Sequence, residues 1–224
     1  MDRTIGALRE ILLRLFQEQA REWSPRRRRR RVSPKAQDVW DELSQNWWQP
    51  LEEKELEKLL KVADELHLEF SKNKVFYLPP LEKGDAEFVP ALSMKCDIKD
   101  NASDLELRVM LVRRDESNGK LQGIGFRLES PEGKGEGRHD FYHAQLIKGF
   151  RNGKDVESIS WLPDSQPSFP ILARNPITMI LALLITLYGK NYCWEFYTTH
   201  SLHRADIKRY MEELNEWIIW PAFS

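Results

Sequence analysis

Residues 91–98 read ALSMKCDI, residues 105–111 read LELRVML and residues 123–128 read GIGFRL, and these three runs decide the fold. Leu92, Met94, Cys96 and Ile98 alternate with polar neighbours, and Leu105, Leu107, Val109 and Leu111 share one side of the next segment. A period of two is the mark of a half-buried strand. Asn118-Gly119 lies between the second and third runs and predicts a two-residue type I′ hairpin. Downstream, the glycine-rich turn Gly133 to Gly137 leads to a fourth strand over 138–148, and Arg151-Asn152-Gly153 leads to a fifth over 156–161. The expected class is therefore α+β: an antiparallel four- to five-stranded meander packed by helices. Gly123-Ile124-Gly125 has no helix start after it, so it reads as a close backbone approach or a bulge, not a phosphate cradle.

Outward toward the C-terminus, the segment Trp161 to Pro170 holds three prolines and predicts a flap or crossover loop. Asn175 is placed to cap a helix that has Pro176 at its first position and ends at Gly189. Its apolar run, Ile177 to Tyr188, falls well short of the ~20 residues a bilayer requires, so it predicts a core helix and no membrane span. Tyr192 to Thr198 reads as a strand or extended segment. Residues 202–219 form a final helix with Ile207, Tyr210, Met211, Leu214, Trp217 and Ile218 inward.

Outward toward the N-terminus, Val75 to Leu78 is a short strand, and residues 35–49 and 51–71 are two helices. Val39, Trp40, Leu43 and Trp47 stripe the first; Leu56, Leu59, Leu60, Ala63, Leu66 and Phe70 stripe the second. Residues 2–23 repeat Ile5, Leu8, Leu12, Leu15, Phe16 and Gln19 at helical spacing. Ser24-Pro25 ends that helix, because proline disfavours helix in the residue before it.

Six consecutive arginines follow: Arg26, Arg27, Arg28, Arg29, Arg30 and Arg31. Residues 1–35 carry eleven Lys/Arg and four Asp/Glu, a balance of +7, and the rest carries 23 basic and 31 acidic side chains, a balance of −8. A near-neutral total thus hides a basic arm on an acidic body. The organisation read from this is a docking helix (1–23), an arginine-rich linker (24–36) and one globular domain (37–224). The linker detaches the first helix, whose stripe docks on the body, on a second copy or on a partner. Ile5, Leu8, Leu12, Leu15 and Phe16 are its candidate partner-binding residues.

The arginine run, with Lys35, is the candidate nucleic-acid-binding element. Clustered guanidiniums neutralise phosphates and release counterions, giving affinity that depends on salt and little on sequence. The alternatives are a solvated linker lying on an acidic surface and a nuclear import signal. Ser24-Pro25 and Ser33-Pro34 are patterns whose phosphorylation would weaken phosphate binding. The leading expectation is a non-enzymatic adaptor or subunit of a nucleoprotein assembly.

The rival class is a hydrolytic or nucleolytic enzyme built on His139, His143, Gln145 and Asp164. On one strand, His139 and His143 face the same way but lie ~13 Å apart, too far to share a metal ion. His200 and His203 read as helix-start polarity. No metal site or cofactor is expected. A third reading is a purely protein-binding scaffold. Most of the eight tryptophans read as core residues and the others as exposed anchors or base-stacking surfaces. Two cysteines, Cys96 and Cys193, and no signal peptide suggest a reducing intracellular setting, cytoplasmic or nuclear.

The order of helices, four-stranded meander, proline-rich flap and helices resembles the ubiquitin-conjugating-enzyme and RWD architecture over about residues 50–220. That family's catalytic cysteine follows the flap. Trp161 to Arg174 contains none, so the resemblance implies a catalytically inert, partner-binding variant. Tyr142-His143-Ala144-Gln145, the Trp-Leu-Pro flap and Leu187-Tyr188-Gly189 are similar to segments of small accessory proteins from microbial defence or mobile-element loci.

Overall fold

A computed structural model describes residues 3–23, 32–60, 66–70, 73–83, 86–99, 102–130, 142–147, 157–158, 169–170, 175–198 and 204–217. Among them the order is α1 (Arg3–Trp23), α2 (Pro34–Asn46), β1 (Gln49–Pro50), α3 (Glu53–Leu59), β2 (Leu66–Glu69), β3 (Lys74–Tyr77), β4 (Leu81–Lys83) and β5 (Ala86–Lys99). Then come β6 (Ala102–Arg114), β7 (Leu121–Glu129), β8 (His143–Ile147), β9 (Glu157–Ser158), β10 (Phe169–Pro170), α4 (Pro176–Tyr188), α5 (Lys190–Thr198) and α6 (Arg204–Trp217). The class is mixed α+β with a mostly antiparallel sheet.

Strand β5 organises the sheet. On one side it pairs with β6 from Val89–Val112 to Lys99–Ala102, and on the other it pairs in turn with β4, β3 and β2. β6, β7, β8 and β10 continue antiparallel from there, whereas β1 lies parallel to β3 and β9 parallel to β7. The sheet is wider than the expected meander, ten strands among the described residues. The additions are short strands, several of only two to four residues, whose periodicity is too brief to read from sequence.

Three local readings are corrected. The expected helix over 51–71 is only α3, and Leu66–Glu69 pairs with β5 instead. Leu68 is buried while His67 and Glu69 are exposed, an alternation hidden inside what looked like a helical stripe. Tyr192 to Thr198, expected as a strand, belongs to helix α5. Gly189, at φ 82°, ends α4, and α5 then packs against α4 and α6 with Cys193 fully buried. Tertiary packing there overrides an aromatic-rich, strand-like composition. The β6–β7 connection is not a two-residue turn. Asp115 N–H donates to Lys120 O, Gly119 N–H donates to Asp115 O, and the Asp115 carboxylate accepts from Ser117 N–H. This closes a longer loop with Gly119 in the left-handed region at φ 71°.

The pleat sends side chains to two cores. One face of β5–β8 presents Leu92, Met94, Cys96, Leu105, Leu107, Val109 and Leu128 to a cluster shared with α1, α3, α4 and α6. The other presents Val89, Ala91, Met110, Val112 and Leu121 to α2 and a group of tryptophans. Gly125 lies in this second face. A Cβ there would collide with Met110 Sδ and Ile147 Cγ1, so the close approach expected at Gly123-Ile124-Gly125 is real. Helix α4, apolar almost all round, is capped as expected: Asn175 Oδ1 accepts from Thr178 N–H at 2.9 Å. Cys96 and Cys193 are both buried and are not joined in a disulfide.

Helix α1 is not detached. Ile5, Leu8, Leu12 and Leu15 are at most 1% exposed and Phe16 packs beside them, all within the chain's own core. The expectation that these five residues serve a partner is therefore corrected. The docking is also directional. The Gln19 amide donates to Leu51 O at 2.9 Å, and its carbonyl accepts from Tyr77 N–H at 2.8 Å. Trp23 Nε1 donates to Leu78 O at 3.2 Å. The polar residue in the apolar stripe thus satisfies backbone groups on and beside β3.

Candidate functional site

Arg26 to Arg31 lie outside the described residues, but their flanks do not. Trp23 and Val32 are 3% and 9% exposed and belong to the same cluster. The Trp23 ring stacks on Trp40 with centroids 5.5 Å apart and planes 7° from parallel, and Tyr77 meets both edge-on. On the downstream side Ser33 caps α2, accepting from Ala36 N–H at 3.2 Å and donating to the Glu87 carboxylate. The described residues on the two sides of the segment, Trp23 and Val32, are thus both anchored in the body. A detached linker was the natural reading because the anchors are a tryptophan at a helix end and a lone valine, neither of which stands out in sequence.

Lys35, on the first turn of α2, reaches Glu116 at 2.5 Å with both side chains largely exposed. Such a pair contributes little. Lys35 borders a cavity of about 650 Å³ also lined by Asp38, Glu87, Arg113, Arg114 and Asp115. Arg114 is committed to the body: it binds Asp38 and Glu42, both at 2.7 Å, and its pKa is raised chiefly by the Glu42 hydrogen bond. Ser33, one of the two Ser-Pro serines, already uses its hydroxyl in two hydrogen bonds.

The histidine-bearing strand gives a different result from the one expected. His139 and Asp164 lie outside the described residues, as do His200 and His203. His143 is 1% exposed, and its Nε2 lies 3.1 Å from Glu129 Oε2. Gln145 accepts from Arg127 Nη2. These two side chains each serve a neighbour on β7 and do not converge on an open point. The metal reading has no further ligands: among the described residues no group of three His, Cys, Asp or Glu is placed to hold an ion.

Beside His143 and Gln145 lies a charged array that the sequence reading passed over. Register sets Glu106, Glu129 and His143 in one cross-strand row and Arg108, Arg127 and Gln145 in the next. Along the strands, Arg108 Nε donates to Glu106 at 2.5 Å, and Arg127 Nε lies 3.1 Å from Glu129. Arg108 is 7% exposed, and its Nη2 is buried without a hydrogen-bond partner. Leaving a buried donor unpaired costs about 1–3 kcal/mol, more for a charged group. The signal was present in sequence: once Leu105, Leu107 and Val109 face the core, Glu106 and Arg108 must share the other face.

Burial raises the Glu129 carboxyl above its ordinary value of 4.5, against the opposing pull of Arg127, and a hydrogen bond with Glu106 raises it further. The folded state thus holds this proton more tightly than the unfolded state. The resulting stability is fully present below pH 4.5 and is lost as pH rises through the folded value. Glu129→Gln keeps the shape and removes the titration. Across that window the wild type is predicted to lose stability relative to Glu129→Gln, measured as urea midpoints over a pH series. Parallel pH curves for the two proteins would refute the assignment.

No protein-family model, curated protein or solved structure matches this chain. The likeness to ubiquitin-conjugating folds thus rests on element order alone. Cys193, the first cysteine after the flap, is buried on α5, and burial pushes its thiol up to about 12. A thiol so placed supplies no thiolate at neutral pH. Among the described residues no helix is long and apolar enough to cross a membrane.

Proposed function

We propose that this protein is a non-enzymatic subunit or adaptor of a nucleoprotein assembly that holds nucleic-acid phosphates through Arg26 to Arg31, with Lys35 beside them. The observation that carries this reading is the anchoring of Trp23 and Val32 in one aromatic cluster. A charge cluster held at both ends has less freedom to lose on binding than a free tail, so more of its electrostatic gain appears as affinity. The acidic remainder of the chain, at −8, is a poor surface for polyanions and confines that contact to the arginine segment. With α1 docked in its own core, a protein partner meets the acidic body and not the helix stripe.

The test is nucleic-acid binding by the full chain with Arg26–Arg31 replaced by serine. Affinity for a single- or double-stranded oligonucleotide is predicted to fall at least about ten-fold at moderate salt, and the dependence on salt to flatten by several phosphates' worth. Thermal stability stays the same, because both flanking anchors remain. Unchanged binding in the serine variant overturns the reading.

A further inference from the structure

The charged array on β6, β7 and β8 carries an inference independent of the arginine segment. Arg108 and Arg127 are direct register partners, as are Glu106 and Glu129. Like charges directly opposite one another on neighbouring strands are destabilising unless something lies between them or neutralises one. The acidic row meets the arginines along the strands, Glu106 with Arg108 at 2.5 Å and Glu129 with Arg127 at 3.1 Å. The basic row still has donors left over. Among the described residues Arg108 donates from Nε, and its buried Nη2 has no hydrogen-bond partner. Arg127 gives Nη2 to Gln145, while its Nε lies near Glu129 without hydrogen-bond geometry.

We propose that Arg108 and Arg127 bind a phosphoryl group, either as free phosphate or as the terminal phosphate of a larger molecule. Directly paired residues on adjacent antiparallel strands stand about 5 Å apart, so one tetrahedral anion spans both guanidinium forks. A tetrahedral oxyanion presents acceptors to both forks at once, which the two oxygens of a lone carboxylate do not. The array opens toward solvent on one diagonal, where the Arg127 and Glu106 side chains keep 20% and 22% of their exposure. The anion enters there and takes the donors that the sheet leaves unused. His143, beneath Glu129, fixes that carboxyl and stays out of the contact.

The experiment is calorimetric titration of inorganic phosphate into the full chain carrying Arg26–Arg31→Ser, with chloride matching ionic strength. Saturable uptake is predicted. Arg108→Gln and Arg127→Gln should each weaken it about ten-fold or more, the worth of a charged hydrogen bond. Glu129→Gln should tighten it by removing the competing carboxylate. Arg127 is the more exposed of the two, so its variant carries the test if Arg108→Gln unfolds. A 5′-phosphorylated oligonucleotide that outbinds its 5′-hydroxyl twin in the same background assigns the site to a terminal phosphate; equal binding of the twins with phosphate uptake intact assigns it to the free anion. No saturable phosphate uptake, or equal uptake by a folded glutamine variant, overturns the proposal. Because the arginine segment is already removed, neither result bears on its role.

Discussion

Leu12→Ala is predicted to lower the unfolding free energy by about 2–5 kcal/mol, and Leu8→Ala by a similar amount. Both side chains are fully buried in the larger core, facing the same cluster as Leu92, Val109 and Ile177. Truncation removes the transfer energy of the lost methyl groups and leaves a cavity, because the sheet on one side and α4 on the other are too well packed to collapse into it. The internal control is adjacent: Leu13, at 41% exposure, points away, and Leu13→Ala is predicted to change stability by no more than about 0.5 kcal/mol. Urea unfolding with an unchanged slope would measure all three. If Leu12→Ala costs no more than Leu13→Ala, the helix is not part of the core. Folded domains are stable by only about 5–15 kcal/mol, so a chain lacking residues 1–34 would lose its fold along with its arginines. Serine replacement, not deletion, is the clean way to remove the charge.

Sequence legibility followed the length of each signal. The long alternations in β5, β6 and β7, the Asn175–Gly189 capped helix and the stripe of α1 were all readable, because each repeats a period several times or ends in specific cap chemistry. The strand at Leu66–Glu69 and the helix at Lys190–Thr198 were not, because each is short and takes its conformation from what it packs against. The docking of α1 was half legible. Gln19 appeared in the apolar stripe, but nothing local announces that its amide bridges Leu51 O and Tyr77 N. The charged array was hidden for a different reason. Glu106, Arg108, Arg127 and Glu129 look like the solvent face of two strands until register stacks them and burial makes their pairing matter. His143 drew attention as one of a set with His139, Gln145 and Asp164, whereas its partner here is Glu129, fourteen residues earlier.

Trp40→Ala is predicted to cost about 3–5 kcal/mol, the usual price of emptying a tryptophan site. Its indole stacks on Trp23 and meets Tyr77 edge-on, and such aromatic pairs add about 0.5–1.5 kcal/mol beyond burial. Tyr77 is itself tied to the backbone, its hydroxyl donating to Trp48 O at 2.5 Å, so the cluster has little freedom to close the gap. The same substitution loosens the upstream anchor of the arginine segment without touching a charge. Nucleic-acid affinity of the folded variant should therefore fall by much less than in the Arg26–Arg31→Ser protein, which conversely keeps full stability. The two variants form a double dissociation: one removes the anchor and keeps the charge, the other removes the charge and keeps the anchor. Urea unfolding and oligonucleotide binding on both proteins read it directly. A folded Trp40→Ala protein that loses as much affinity as the serine variant would mean that the anchoring of the segment, and not its charge alone, sets the affinity.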